Sequence, residues 1–286
     1  MRIGIVSTGA MGSAIGGVLR EGGAEVVTTL DGRSERTARL AREAGIERLP
    51  DLEAVVRESD VVLSVAPPGQ AEAIARWIAA AAGSSSARPL VADLNAISPA
   101  TARNVEATLA AAGLELVDGS ISGPPPRRPG STRLYLSGRR ADEAAALPFT
   151  GIDVIPVGDE VGSASAVKMC TASVYKGTVA LLTHALLTAR ANGVLDHVVG
   201  DLGELADGAA RTIARSATKS GRYVGEMHEI AATQAAAGLT PALFEAMAAV
   251  YAALAERPLA AQAPEDVDEL VDLDLVLGRL APECGR

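Results

Sequence analysis

The chain has 286 residues, 48% hydrophobic and 21% charged, enough apolar material for one large core or two ordinary ones. Its formal net charge of −9 repels a phosphate backbone and argues against nucleic-acid binding, although a local cluster of cations can still hold a small anion. No stretch of roughly 18 uncharged apolar residues occurs, so no membrane span is expected. Residues 2–7 (RIGIVS) read as a strand and 10–21 as a helix, then 25–30 as a strand and 34–44 as a helix. Strands follow at 60–65 and 89–94 with a helix at 70–82 between them, then a helix at 99–112 and a strand at 114–119. Further strands are expected at 132–137 and 152–157, beyond a proline-rich loop at 123–131 (GPPPRRPGS). Apolar strands alternating with helices predict a parallel sheet covered on both faces.

The pattern changes near residue 160. Residues 162–190 contain no proline and carry small and apolar residues at helical spacing, so one long helix is expected. Helices then read at 201–219, 222–237 and 241–256, with a short acidic segment at 264–280. The organisation is therefore an α/β domain over 1–160 and an all-α domain over 161–286, joined by the long helix. Arg2 and the small apolar residues behind it do not read as a secretory leader, because Gly4, Gly9, Gly12, Gly16 and Gly17 interrupt any continuous apolar region. The two cysteines, Cys170 and Cys284, form no CxxC pair, which fits a reduced, cytoplasmic protein. His184, His197 and His228 lack ligand spacing, so no metal site is expected.

The first strand runs into Ser7-Thr8-Gly9-Ala10-Met11-Gly12 and then a helix. The dinucleotide fingerprint is GxGxxG in that position, and here Ser7 stands for the first glycine. Gly9 lets backbone approach a pyrophosphate, Gly12 lets helix pack on strand, and the helix N-terminus offers free N–H groups to phosphate. The second strand ends at Asp31-Gly32-Arg33-Ser34. The acid suits the ribose of NAD, whereas Arg33 and Ser34, with Arg36 and Arg39 behind them, suit the 2′-phosphate of NADP. The cations outnumber the acid, so NADP is favoured and NAD stays possible.

The opening IGIVSTGAMG resembles that of the β-hydroxyacid dehydrogenases, which include 3-hydroxyisobutyrate, tartronate semialdehyde and 6-phosphogluconate dehydrogenases, with the imine reductases related. Asp93-Leu94-Asn95-Ala96-Ile97-Ser98-Pro99 is similar to the family's D-x-S-T-x-x-P segment. Asp118-Gly119-Ser120-Ile121-Ser122-Gly123 is similar to its D-A-P-V-S-G-G substrate segment. Residues 162–177 (GSASAVKMCTASVYKG) resemble its G-x-x-x-x-x-K-x-x-x-N helix. The resemblance covers the first 190 residues and implies a Rossmann domain carrying the cofactor.

It further implies cofactor contacts from Ser7, Thr8, Gly9, Ala10, Met11, Gly12, Arg33, Ser34, Val65, Ala66, Pro67 and Asn95. Asn95 also serves simply as a loop or helix-cap residue on its own sequence. Substrate contacts are implied for Ser122, Gly123, Pro124, Asn95 and Thr171, and the catalytic lysine is matched by Lys168. Two substrate positions depart from the pattern: Pro124 replaces a glycine and removes an N–H, and Ala172 replaces the asparagine. Lys168, Thr171, Ala172 and Tyr175 share one helix face, and partial burial there would bring a lysine toward the range of proton exchange. Tyr175 reads equally as an auxiliary proton donor or as packing. Arg222 and the EMHE segment at 226–229 read as part of the site or as an amphipathic helix.

The expected activity is hydride exchange between NADP and a small, anionic hydroxy or keto acid, with Lys168 as general acid and base. An imine reductase and a non-catalytic NADP sensor are the rivals. A homodimer through the helical domain is expected.

Overall fold

A computed structural model describes residues 1–282 of the chain, so Cys284 lies outside the described residues. These residues fall into two compact units, the first Met1–Met169 and the second beginning at Cys170. The first unit opens with β1 (Arg2–Val6), α1 (Ala10–Glu21), β2 (Glu25–Thr29), α2 (Glu35–Glu43), β3 (Glu47–Leu49), α3 (Leu52–Glu58) and β4 (Val61–Ser64). It continues with α4 (Ala71–Gly83), β5 (Leu90–Asp93), α5 (Pro99–Ala110), β6 (Leu116–Ser122), β7 (Arg133–Ser137), α6 (Ala141–Ala145) and β8 (Asp153–Pro156). One eight-stranded sheet has the order β3-β2-β1-β4-β5-β6-β7-β8. Strands β3 through β6 run parallel, β7 turns back antiparallel to β6, and β8 pairs parallel with β7.

Alternate residues of the central strands go to opposite faces, as the two-residue period of a strand requires. Ile3, Ile5, Val61, Leu63, Leu90 and Ala92 join Ile15 and Leu19 of α1 in one core. Val6, Val62 and Val91 join Ile74 and Ile78 of α4 and Val105 and Leu109 of α5 in the other. Both faces are therefore sealed, and the open ground of the sheet is its edge at the strand C-termini.

β3, α3 and α6 have no counterpart in the sequence reading. β3 is only three residues long, and α3 is seven residues begun by Asp51, whose carboxylate accepts from the Ala54 N–H at 2.8 Å.

The long helix exists as α7 (Ser163–Ala191), 29 residues that start in the first unit and end in the second. The second unit continues with α8 (Leu195–Leu202), α9 (Ala209–Ala217), α10 (Ser220–Ala236), α11 (Ala242–Ala255) and α12 (Leu273–Leu280). A short turn makes α10 and α11 a hairpin of closely packed helices. The single helix expected over 201–219 is instead a 3-10 turn at Gly203–Ala206 between α8 and α9, because Gly203 and Gly208 sit at φ of +52° and +67°. The acidic segment at 264–280 likewise divides into a 3-10 turn, Pro264–Val267, and α12, which Asp272 begins by accepting from the Leu275 N–H at 2.9 Å. Among the described residues no helix is long and apolar enough to cross a membrane.

Candidate active site

The turn after β1 is shaped by Ser7, Thr8, Gly9 and Gly12. Ser7 has φ +76°, the left-handed conformation that glycine would take without strain. A Cβ on Gly12 would come within 2.2 Å of the Ser7 carbonyl oxygen, so glycine is obligatory where α1 crosses the end of β1. A Cβ on Gly9 would meet no protein atom within 4 Å, so packing within the chain does not demand that glycine. The Thr8 hydroxyl is fully buried and has no hydrogen-bond partner among the described residues. Helix α1 begins at this point with no side-chain cap and no acid in its first turn, leaving its N–H groups and positive dipole end to an anion. An orphaned buried hydroxyl, an unfilled Cβ position and an uncapped helix start fit a dinucleotide pyrophosphate.

At the end of β2, Asp31 is exposed and Arg33 half-buried. Ser34 has a structural task as well, since its hydroxyl caps α2 by accepting from the Thr37 N–H at 3.3 Å. Beyond β4 and β5 a single side chain ties two turns together. Asn95 is 2% exposed; its amide donates to Ser64 Oγ at 2.9 Å and Asp93 Oδ2 at 2.7 Å, and its carbonyl oxygen accepts from the Ala66 N–H. The Val65–Ala66–Pro67 turn and the loop after β5 are thus clamped to each other. Asp93 is buried below this clamp, and burial pushes its carboxyl up to about 7, with the Asp118 charge adding to the rise and the Asn95 and Ser64 hydrogen bonds opposing it.

Asp118 of β6 anchors the start of α7. Its Oδ2 accepts from the Gly162 N–H at 2.9 Å, the Ser165 N–H at 3.0 Å and Ser137 Oγ at 3.0 Å, and its Oδ1 accepts from Ser165 Oγ at 2.6 Å. Ser137 Oγ in turn accepts from the Ala164 N–H, and Ser120 Oγ donates to the Ala164 carbonyl at 2.7 Å. The first turn of α7 is therefore bolted to β6 and β7. Three residues past Ser165, Lys168 is half-buried and its ammonium donates to the Ile121 carbonyl at 2.7 Å. That carbonyl immediately precedes Ser122, the last residue of β6, and Gly123, which begins the turn after it. Gly123 has φ +117°, and a Cβ on it would lie 2.4 Å from the Ser131 carbonyl oxygen, so only glycine makes this turn. Pro124, exposed, accepts from Thr132 Oγ1 at 2.7 Å through its carbonyl.

The structure thus brings Lys168, Ser122 and Gly123 together. Thr171 is half-buried, Ala172 is buried, and Tyr175, farther along α7, is 72% exposed. Asp118 and Asp93 are legible in the sequence as motif members, but their hydrogen-bonding tasks are not. No local signal links Asp118 to a helix start 44 residues later. Among the described residues no group of three or more His, Cys, Asp or Glu side chains could hold a metal.

A family model described as the NAD binding domain of 6-phosphogluconate dehydrogenase matches residues 2–149, just over half of the chain, and a domain of unknown function (DUF1932) matches residues 189–254. One solved structure, a conserved protein of unknown function described as structurally similar to 3-hydroxyacid dehydrogenases, is 30% identical with a TM-score of 0.66, covering 92% of this chain and 100% of its own. The 3-hydroxyisobutyrate dehydrogenase of Mycobacterium tuberculosis, solved with L-serine, is 21% identical with a TM-score of 0.68 over 98% of both chains, a likeness of fold. An uncharacterized 28.5 kDa protein of Methanothermus fervidus is 27% identical over 204 residues, 71% of this chain and 77% of that one. With its phosphate-binding turn and sheet order, the chain belongs to the family defined by the NAD-binding domain of 6-phosphogluconate dehydrogenase and is an NAD(P)-dependent oxidoreductase.

Proposed function

We propose that the chain is an NADP-dependent oxidoreductase of the β-hydroxyacid dehydrogenase type, acting on a small anionic hydroxy or keto acid with Lys168 as the proton-exchanging group. The observation that carries this reading is the 2.7 Å hydrogen bond from the Lys168 ammonium to the Ile121 carbonyl, at the sheet edge on which the Gly9–Gly12 turn opens. A bound nicotinamide supplies the hydride. Lys168 gives a proton to the substrate oxygen on reduction and takes it back on oxidation, and the Ile121 carbonyl holds the amine in place between turnovers. The Ser122 hydroxyl and the Gly123 N–H orient the acid, Pro124 narrows that set of donors by one, and Thr171 flanks Lys168 on α7. Asn95 acts as a positioning residue, because both amide hydrogens and its carbonyl are already engaged in holding the turns after β4 and β5.

Arg33 and Ser34 take the 2′-phosphate, and the Val65–Ala66–Pro67 turn lies against the cofactor. The exposed phenol of Tyr175 makes it the weaker of the two proton-donor candidates. A homodimer through the helical unit completes the assembly.

Steady-state consumption of NADPH against a panel of small 3-oxo acids and cyclic imines tests the substrate class. Turnover of the oxo acids is expected; turnover confined to imines, or tight NADPH binding with no turnover, overturns the proposal. Arg33→Ala is expected to raise the KM for NADPH about tenfold while leaving that for NADH within about twofold, as loss of a charge-assisted bond requires. Equal effects on both cofactors would remove Arg33 from 2′-phosphate recognition.

A further inference from the structure

The connection between β6 and β7 is far longer than its task requires. The two strands are antiparallel neighbours, which a hairpin joins with about two to five residues, yet residues 123–132 lie between them. The excess is held in shape. Pro124, Pro125, Pro126 and Pro129 fix their own backbone angles. Thr132 Oγ1 closes the base of the loop by donating to the Pro124 carbonyl at 2.7 Å, and Gly123 is pressed against the Ser131 carbonyl. The Gly130 N–H donates to the Gly151 carbonyl at 2.9 Å, which ties the loop to the turn before β8. At its tip the Arg127 N–H donates to the Pro125 carbonyl at 2.7 Å, and Ser131 Oγ donates to the Arg128 carbonyl at 2.7 Å.

This frame carries two adjacent arginines, Arg127 and Arg128. Both are exposed, and neither guanidinium has an ion pair or hydrogen bond among the described residues. Residues 119–141 contain no Asp or Glu, and Asp153, which the register brings beside the base of the loop, stands opposite Arg133. The loop leaves β6 directly after Ser122 and Gly123, on the sheet edge where the parallel strands β1, β4 and β5 also end. Pro124 supplies no N–H to that turn, so the donors near it are fewer by one. Two guanidiniums a few residues on offer five N–H groups each, in the planar fork that carboxylates and phosphates match. Holding them on a proline frame lowers the ordering cost of binding. In a chain of net charge −9 a doubly charged ligand is repelled unless local cations answer it.

We propose that Arg127 and Arg128 form a specificity arm that grips a second anionic group of the substrate, so that the preferred acid carries a further carboxylate or phosphate beyond the one oriented at Ser122 and Gly123. This rests on the oxidoreductase reading for the identity of the first site, whereas the arm itself is tested by binding alone.

The test is isothermal titration of the full chain saturated with NADP, at constant ionic strength, with three unreactive probes. Butyrate carries one carboxylate, glutarate two, and 3-phosphonopropionate a carboxylate and a phosphonate. One or both of the doubly substituted probes should bind at least about tenfold tighter than butyrate, the worth of charge-assisted hydrogen bonds. The tighter of the two tells a second carboxylate from a phosphate. In the Arg127→Gln/Arg128→Gln protein, altered only where side chains touch nothing else, that advantage should fall to about twofold or less. No advantage over butyrate in the native chain, or an advantage that survives the double substitution, overturns the proposal. A chain that reduces no 3-oxo acid but shows the arginine-dependent advantage supports the arm and refutes the substrate class instead.

Discussion

Ser7 is the one non-glycine residue among those described that holds a positive φ. A left-handed conformation costs an L-residue about 1–2 kcal/mol, and glycine there would return about 0.5–1 kcal/mol as added freedom of the unfolded chain. Ser7→Gly is therefore expected to stabilise the protein by about 0.5–1 kcal/mol in urea unfolding; a loss of stability would mean that the serine side chain holds the turn. Asp93 makes a second residue-scale prediction. Its carboxyl titrates at about 7 in the folded chain against 3.8 as a free side chain. Between these values the folded protein keeps a proton that the unfolded chain has released, so stability falls as pH rises from about 4 to 7 and is flat beyond. The fall attributable to Asp93 amounts to at most about 4 kcal/mol. Unfolding of Asp93→Asn, measured across the same range, should lack that decline; an unchanged decline would show that other groups cause it.

At the scale of elements, the anchoring of α7 matters most to the site. Asp118 receives four hydrogen bonds, two of them from backbone N–H groups at the start of α7, and Lys168 follows one turn later. Asp118→Asn turns one acceptor oxygen into a donor that faces other donors. It is expected to cost about 2–4 kcal/mol in urea unfolding and to lower kcat more than it changes KM, since the lysine loses its placement before the substrate loses its contacts. An Asp118→Asn protein with ordinary stability and turnover would show that α7 is held elsewhere. Much at this scale could be read in advance. The alternation of apolar strands with helices predicted the sheet, and the proline-free run at 162–190 predicted α7 almost to its ends. β3 and α3 escaped because three and seven residues are too few to show a period. The break between α8 and α9 escaped because glycine inside a helical pattern signals either tolerance or a stop. In the site, the fingerprint turn and Lys168 were visible as motifs. The buried Asn95 clamp and the Asp118 anchor were not, since each joins residues tens of positions apart that only the sheet brings together.

At the scale of the whole molecule, parallel strands solve the problem of gathering such residues. β1, β4, β5 and β6 all end on one edge of the sheet, so the Ser7–Gly12 turn, the Ala66–Asn95 clamp and the Ser122–Gly123 turn emerge side by side, with Lys168 held over the last of them. A net charge of −9 means that any anionic partner must be captured by local cations, a part that the proposal gives to Arg33 in the first unit. The proposed proton exchange rests on Lys168. The measurement that reaches it most directly compares Lys168→Ala with the native protein, following NADPH binding by fluorescence titration and hydride transfer to a 3-oxo acid in a single turnover. NADPH affinity is predicted to stay within about twofold while the transfer rate drops about 10²–10⁴-fold, the usual contribution of a positioned general acid. Transfer at the native rate in that variant would contradict the assignment.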